Sequence, residues 1–366
     1  MEIVVEKGKL VDELEKISKI LPSKPVISTT GGILVEGRKD GINLTSTDLQ
    51  LTLKTFVECE VKDKGIALIP GKLFISLIRK IPEKLIKITV KENNAVINDK
   101  SFQYKLLLMN PEDYPKLPVE KDVASDSKGF VISSSILLDM IKKTVYCINP
   151  EEPRMYFRGV LMETKNNTLN MVATDTRRLS LVKKEIQDGN RVKIILPLRL
   201  IEVFPLIFKE SDVSLLFSKN QIILKTDRTT LISQLLEGEF PDYEKVIPAS
   251  NKQGTSVIKT KDLFDSLDRL SLLTSEKFAS VKMSFRRNLL VLNIEGQESG
   301  SGEERIDIEY AGPENTVVFN PVYIIEFLKT VSQEYVELFF QDPLKPAKLC
   351  GKEDREYLYV VMPMKT

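Results

Sequence analysis

Apolar residues along this chain keep two rhythms, every three to four positions and every second position, and the two recur in one order three times. In Phe130–Pro150 a short β-type run enters a serine cluster and then a helical pattern with apolar Leu137, Ile141 and Val145. The same shape opens the chain (IVVEKGKLVDELEKISKILP) and opens its last third (SVIKTKDLFDSLDRLSLLTS). Aligning Asp139 with Asp12 and Asp265 with Asp139 superposes Leu10, Leu137 and Leu263, and likewise Leu14, Ile141 and Leu267. These positions lie four apart on one helix face and predict its buried stripe. At the same offset Asn43–Asp48 (NLTSTD) meets Asn170–Asp175 (NMVATD); the third copy, Asn293–Glu298, keeps only the asparagine and at a shorter offset. A second helix follows Pro70, Pro197 and Pro321, a residue suited to a first helical turn because its absent N–H has no partner there. The pattern predicts three versions of one domain of roughly 120 residues.

The copies span 1–122, 124–250 and 251–366, and each reads as strand, helix and three strands, then the same again. In the first, Gly32–Glu36, Gly41–Thr45 and Leu49–Val57 alternate before the second helix, and Lys87–Lys91, Asn94–Asn98 and Phe102–Leu108 after it. In the second the strands include Phe157–Glu163, Thr168–Ala173, Leu179–Lys184, Val213–Phe217, Gln221–Lys225 and Thr230–Leu235. In the third they include Val281–Phe285, Leu289–Ile294 and a final Tyr357–Met362. Val119–Lys128 reads as a charged, serine-rich linker, and Gln297–Glu304 (QESGSGEE) as an exposed flexible loop. The class is α+β, six amphipathic helices backed by antiparallel sheet.

Composition narrows the function by exclusion. With 42% hydrophobic and 29% charged residues and a net charge of +1, no overall field draws the chain to nucleic acid or membrane, so any basic surface is local. Met1–Leu21 lacks a secretory pattern, and Val192–Phe208 is too interrupted to span a membrane. Three scattered cysteines, Cys59, Cys147 and Cys350, read as reduced thiols of a cytoplasmic protein. The absence of histidine removes histidine triads and histidine metal ligands. Gly65–Leu73 has one residue too many for a phosphate-binding loop and Leu73 where a hydroxyl must reach magnesium, so it reads as a helix start. Asp48 and Asp175 could suggest a two-metal nuclease, but neither has a second acid beside it, and a repeated turn or cap is the simpler reading. No cofactor or metal is expected.

A domain of this size is roughly 35 Å across, so six in a ring leave a hole of about one domain width. A duplex about 20 Å wide passes through such a hole, whereas three domains leave none of that size. An open monomeric scaffold of three repeats is the other arrangement such a chain could adopt. The chain resembles the bacterial DNA sliding clamps, the beta subunits of the replicative polymerase. The resemblance rests on Ala173–Leu179 (ATDTRRL), Phe240–Tyr243 (FPDY), Leu273–Phe278 (LTSEKF), Tyr310-Ala311-Gly312 and the ending Tyr359–Met364 (YVVMPM). It implies three tandem copies of a DNA-clamp domain, a head-to-tail homodimer closed around duplex DNA, and no catalysis. Its implied partners are the polymerase catalytic subunit, the clamp loader and other replication and repair proteins.

The resemblance also carries sites onto this sequence. A partner peptide would enter a cleft between the second and third domains made by Phe157, Thr174, Arg178, Leu179 and Pro241, with Val246, Val360, Met362, Pro363 and Met364 completing it. Thr174 and Arg178 would hold its polar ends. Thr176 replaces a glycine of the family, Arg177 a histidine, and Lys365-Thr366 a more apolar ending. Candidates for the DNA-facing surface are Lys24, Lys72, Arg79, Lys80 and Lys142, together with Lys143, Arg154, Tyr156, Arg199 and Lys329; these would touch phosphate without reading bases. Met155 replaces an aromatic neighbour of Tyr156. Tyr104 and Leu106 near one end, and Leu272 and Leu273 near the other, would form the subunit contact.

Overall fold

The structure is a computed structural model; it describes all residues except 83, 100–101, 118–127, 187–190, 210, 250–253, 275–278, 297–299 and 365–366. The linker expected at Val119–Lys128 therefore falls almost wholly outside the described residues, as do part of the LTSEKF motif and the last two residues.

Six α-helices stand among the described residues: α1 (Lys7–Ser18), α2 (Gly71–Lys80), α3 (Ser134–Lys142), α4 (Leu198–Ile207), α5 (Thr260–Ser271) and α6 (Pro321–Leu328). The aligned apolar positions do what their spacing predicts. Leu10, Leu137 and Leu263 are 0–2% exposed, and Leu14, Ile141 and Leu267 are 0–5% exposed. Each such burial contributes roughly 1.5–3 kcal/mol. Val145, expected on the stripe of α3, lies past the helix end in a 3-10 turn, Val145–Cys147. At the end of α3 the Thr144 hydroxyl donates to the carbonyl oxygen of Met140, 2.8 Å away, satisfying an acceptor of the last turn.

The strands repeat with the same rule in every copy. The opening strands β1 (Glu2–Glu6), β10 (Lys128–Ser133) and β18 (Thr255–Lys259) each pair antiparallel with the strand after the second helix: β7 (Leu85–Lys91), β15 (Asp212–Phe217) and β23 (Tyr335–Phe339). Each first helix leads into a three-strand meander: β2–β4 (Gly32–Gly37, Gly41–Thr47, Leu51–Glu58), β11–β13 (Gly159–Lys165, Thr168–Thr174, Arg178–Glu185) and β19–β21 (Val281–Arg286, Leu289–Gly296, Gly300–Glu309). A fourth strand pairs back on the first of these: β6 (Ile66–Pro70), β14 (Lys193–Pro197) and β22 (Asn315–Phe319). Hairpin strands β8 (Asn94–Asn98) and β9 (Gln103–Leu107), β16 (Gln221–Lys225) and β17 (Thr229–Gln234), and β24 (Ala347–Gly351) and β25 (Tyr357–Val361) finish the copies. One short strand, β5 (Glu60–Asp63), has no counterpart in the other copies among the described residues and pairs with β1.

Prolines mark the second helices as expected, but in two of three cases they close the preceding strand. Pro70 and Pro197 end β6 and β14, both edge strands, where a missing N–H leaves no ladder bond unmade. Pro321 alone occupies the first turn, behind Asn320, whose side chain accepts from the N–H of Val322 at 3.0 Å.

Chain contacts divide the molecule into two compact units that cut across the sequence repeats: Met1–Leu137 with Arg199–Leu235, and Leu138–Leu198 with Leu236–Thr366. The sheets explain the division. In the first unit β4 pairs with β17, Leu53 opposite Leu231, joining a sheet of eight strands. In the second, β13 pairs with β25, Leu179 opposite Val360, joining a sheet of twelve. Each junction sets the last strand of one meander against the final strand of the next copy.

Two further readings are corrected. Phe157 does not open a strand; it sits in a 3-10 turn, Met155–Phe157, because its ring is drawn beneath the strand start against Phe240. The polar QESGSGEE segment is in large part strand: β21 starts at Gly300, and Gly296 to Leu292 pair with Gly300 to Glu304. Its side chains face water while its backbone is satisfied by β20, so composition alone misreports it. No described helix is long and apolar enough to cross a membrane.

Candidate binding site

The site begins with a turn that the chain builds twice. In Thr174–Arg178 the Thr174 hydroxyl accepts the N–H of Thr176 at 3.1 Å and donates to the carbonyl oxygen of Arg178 at 2.6 Å. One carboxylate oxygen of Asp175 accepts the N–H groups of Arg177 and Arg178, both at 2.9 Å. In Thr47–Leu51 the Thr47 hydroxyl accepts the N–H of Leu49 at 3.0 Å, and Asp48 accepts those of Gln50 and Leu51 at 3.0 and 2.8 Å. Both turns need a left-handed residue, Thr176 at φ 73° and Leu49 at φ 77°. The two aspartates are turn-holders, and no group of three or more metal-capable side chains exists among the described residues. The glycine-rich segment is a helix start as well. Gly71 opens α2, and a Cβ there would come 2.7 Å from the side chain of Leu21 and 3.0 Å from the carbonyl oxygen of Gly31.

Above the turn of the second unit lies a slot of about 220 Å³. Its floor is the pair Leu179 and Val360 on β13 and β25, both nearly inaccessible. Phe157 and Phe240 meet edge to face at 5.7 Å and close one end. Tyr243 is fixed from below, its hydroxyl donating to Glu163 at 2.9 Å and accepting from Asn170 at 3.2 Å. Val246 and Met362 stand at the rim, 48% and 41% exposed, offering apolar surface to water. The N–H of Met362 donates to the carbonyl oxygen of Arg177 at 2.8 Å, which ties the chain end to the turn.

Of the ten expected slot residues, eight line this space: Phe157, Thr174, Arg178, Leu179, Pro241, Val246, Val360 and Met362. Pro363 and Met364 lie beyond it, where the N–H of Met364 donates to the carbonyl oxygen of Val318 at 2.8 Å. Thr176, Arg177, Phe240, Asp242 and Tyr243 line it without having been assigned to it. Their signal was already in the FPDY and ATDTRRL motifs. Asp242 is held below the usual carboxylate range by a hydrogen bond from Lys245.

The polar groups of Thr174 and Arg178, expected at a peptide's ends, are largely engaged within the chain. The Thr174 hydroxyl uses its proton and one lone pair within the turn. The Arg178 side chain is 9% exposed. Its Nε donates to Asp175 at 2.9 Å, Nη1 to Glu326 on α6, and Nη2 to the carbonyl oxygen of Tyr146 at 2.5 Å. Its plane lies over Tyr323 at 4.3 Å and Tyr146 at 5.6 Å. An arginine held by three acceptors and two rings is a pin between β13 and α6. Arg177, exposed at the mouth, makes no ion pair among the described residues.

The ten basic-surface candidates divide by partner. Lys24, Lys80, Lys142 and Lys329 are exposed and make no ion pair among the described residues. Lys72 donates to the carbonyl oxygen of Ser23 at 2.7 Å, and Arg79 pairs with Glu15 at 3.6 Å. Arg199 donates to Asp48 at 3.4 Å and to the carbonyl oxygen of Lys19 at 2.7 Å. Lys143 pairs with Asp139 at 2.9 Å. Arg154 pairs with Glu152 at 2.6 Å and stacks on Phe157 at 4.6 Å, while Tyr156 packs edge-on against the same ring. Of the expected subunit-contact residues, Tyr104 and Leu272 are exposed, at 42% and 81%; Leu106 is buried and Leu273 half-buried.

Fold and site together define a tandem α+β protein in which helix-bearing copies are joined edge to edge by sheet, with an apolar slot at one junction. Models of the N-terminal, central and C-terminal domains of the DNA polymerase III beta subunit match residues 1–118, 131–242 and 244–365. The chain belongs to the DNA polymerase III beta subunit family, the beta sliding clamps. The beta sliding clamp of Chlamydia muridarum is 28% identical over 369 residues, covering 100% of this chain and 99% of that one. That of Rickettsia felis is 28% identical over 385 residues, covering 100% of both. The crystal structure of the DNA polymerase III subunit beta from Pseudomonas aeruginosa matches with a TM-score of 0.94 at 25% identity, again over 100% of both chains.

Proposed function

We propose that this chain is a DNA polymerase processivity factor that acts as a ring of two copies, head to tail, around duplex DNA. The observation that carries the ring is the joining rule of the sheets. The last meander strand of the first copy pairs with the final strand of the second, and that of the second with the final strand of the third. Continued once more, the rule joins β21 to β9. Both have an edge to offer: among the described residues β9 pairs with β8 alone, and β21 meets β18 at Ile308 and Glu309, leaving its first half open on one side. A second copy would pair β9 with the open side of β21, the junction that the other copies make within the chain. Tyr104 projects from β9, and Leu272 follows α5; beside it Leu270 and Leu273 both close on Gly302, where a Cβ would come 2.7 and 2.8 Å from their methyl groups.

The ring is not an enzyme and works in the cytoplasm. Lysines and arginines such as Lys24, Lys80, Lys142 and Lys329 make weak phosphate contacts, which permit sliding because they carry no sequence information. The slot takes a short, largely apolar peptide from the polymerase, the clamp loader or other replication and repair proteins. Two Leu-sized anchors would supply roughly 3–6 kcal/mol before ordering costs, an affinity at which partners exchange. The test is topological. The protein should elute at twice 41.6 kDa and stay on nicked circular DNA in about 1 M salt, where screening reaches ~3 Å, and should leave when the circle is cut. Salt-driven loss that linearisation does not change would refute encirclement.

A further inference from the structure

We propose that the first unit carries a second peptide site, the structural twin of the slot just described, rebuilt in polar chemistry. The inference rests on reading the slot of the second unit as a peptide site, and the test below separates the two.

The equivalence is geometric. The repeated turn puts Thr47, Leu49 and Gln50 where the other slot has Thr174, Thr176 and Arg177. Thr52 faces Ile232 across the β4–β17 junction as Leu179 faces Val360 across β13–β25. The N–H of Gln234 donates to the carbonyl oxygen of Gln50 at 3.1 Å, as that of Met362 does to Arg177. At this place the first unit has an open cavity of about 400 Å³. The frame is thus kept, but a floor of Leu and Val becomes Thr52 and Ile232, and the rim methionine becomes Gln234.

The chemistry of the lining selects the ligand. The carboxamides of Gln50 and Gln221 make no hydrogen bond within the described chain, and that of Gln234 makes one, to the carbonyl oxygen of Leu49 at 3.3 Å. Carboxamides both donate and accept, so they match an extended peptide backbone and amide side chains. Lys116 is the one basic side chain of the lining; it is exposed and makes no ion pair among the described residues. Leu49, Leu117 and Ile232 leave room for one apolar anchor. The occupant is therefore a segment of a partner protein with a single apolar residue flanked by glutamine and glutamate, in contrast to the apolar peptide of the other slot.

The experiment uses the full chain with labelled Ile, Leu and Val methyl groups and two blocked probes, Ac-Gln-Glu-Leu-Glu-Gln-NH₂ and Ac-Leu-Phe-NH₂. The acidic probe should shift the methyl signals of Leu49, Leu117 and Ile232 saturably and leave those of Leu179 and Val360 in place. Lys116→Glu should weaken this binding about tenfold, the loss expected when an attractive charge becomes a repulsive one. The proposal is overturned if the acidic probe shifts nothing at concentrations up to about 10 mM, shifts only the Leu179 and Val360 signals, or binds Lys116→Glu unchanged. The apolar probe tests the other slot on its own signals: silence of Leu179 and Val360 towards it would sink that reading while leaving the response of Leu49, Leu117 and Ile232 to be read separately.

Discussion

Replacing Arg178 by alanine should damage the fold before it damages binding. The guanidinium joins Asp175, Glu326 and the carbonyl oxygen of Tyr146, and stacks on two tyrosine rings. Asp175 is only 10% exposed and would keep its two backbone donors but lose its cation; Glu326, 35% exposed, would lose its partner to water. Removing one member of a buried ion pair costs about 3–5 kcal/mol, mostly from the charge left behind. Glu326→Gln keeps the shape and gives up only a half-exposed charge, so about 1 kcal/mol is expected. Arg178→Lys should resemble the alanine variant, because one ammonium cannot reach three acceptors in a plane. Urea unfolding followed by amide exchange of Arg178–Glu185 measures this directly. Protection of that strand should fall in Arg178→Ala and Arg178→Lys and change little in Glu326→Gln. If Arg178→Ala unfolds within 1 kcal/mol of the parent and loses only peptide affinity, the guanidinium acts on ligand and the pin is wrong.

Other outcomes follow from single features. Thr176→Gly should be neutral to stabilising by up to about 1 kcal/mol, since relief of a left-handed β-branched residue outweighs the freedom glycine gains when unfolded; a clear loss in urea midpoint would contradict this. Asp48→Ala should cost about 1–2 kcal/mol through two lost turn bonds, and Asp48→Asn much less, as read by thermal unfolding. Burial pushes the Cys59 and Cys350 thiols up to about 11 and Cys147 well above its ordinary value. At pH 8 only ~0.1% of the first two is thiolate, against roughly a quarter of an ordinary cysteine, so alkylation of the native protein should be slow and should accelerate on unfolding.

Much of this architecture could be read in the order of residues because it depends on neighbours in sequence. Helix stripes came through at Leu10, Leu137 and Leu263, since burial of one helix face needs only the right spacing. Strand limits came through at Asn94–Asn98 and Gln221–Lys225, where turns bound an alternating run. What escaped depends on partners far along the chain. Gly300–Glu304 looks like a loop because its side chains face water, yet its backbone has β20 beside it. The resemblance sets the Arg178 charge toward a bound peptide, and only the approach of Glu326, Tyr146 and Tyr323 makes it a buried pin.

The slot shows the same boundary between local and distant causes. Its turn was legible twice, at Thr47-Asp48 and Thr174-Asp175, because hydroxyl and carboxylate bond to N–H groups two and three residues on. Its floor residues, Leu179 and Val360, came through the family resemblance and not from local pattern, because Leu179 acquires Val360 only through pairing of strands from different copies. That pairing also decides what the repeat can do. A copy standing alone would leave both its final strand and its last meander strand unmatched. Three copies in a row satisfy two such junctions and leave one strand of each kind, β9 in the first copy and β21 in the third. Pairing β21 with β9 of a second chain would complete a rule the chain already obeys twice, and that missing junction, not net charge, is what argues for a ring.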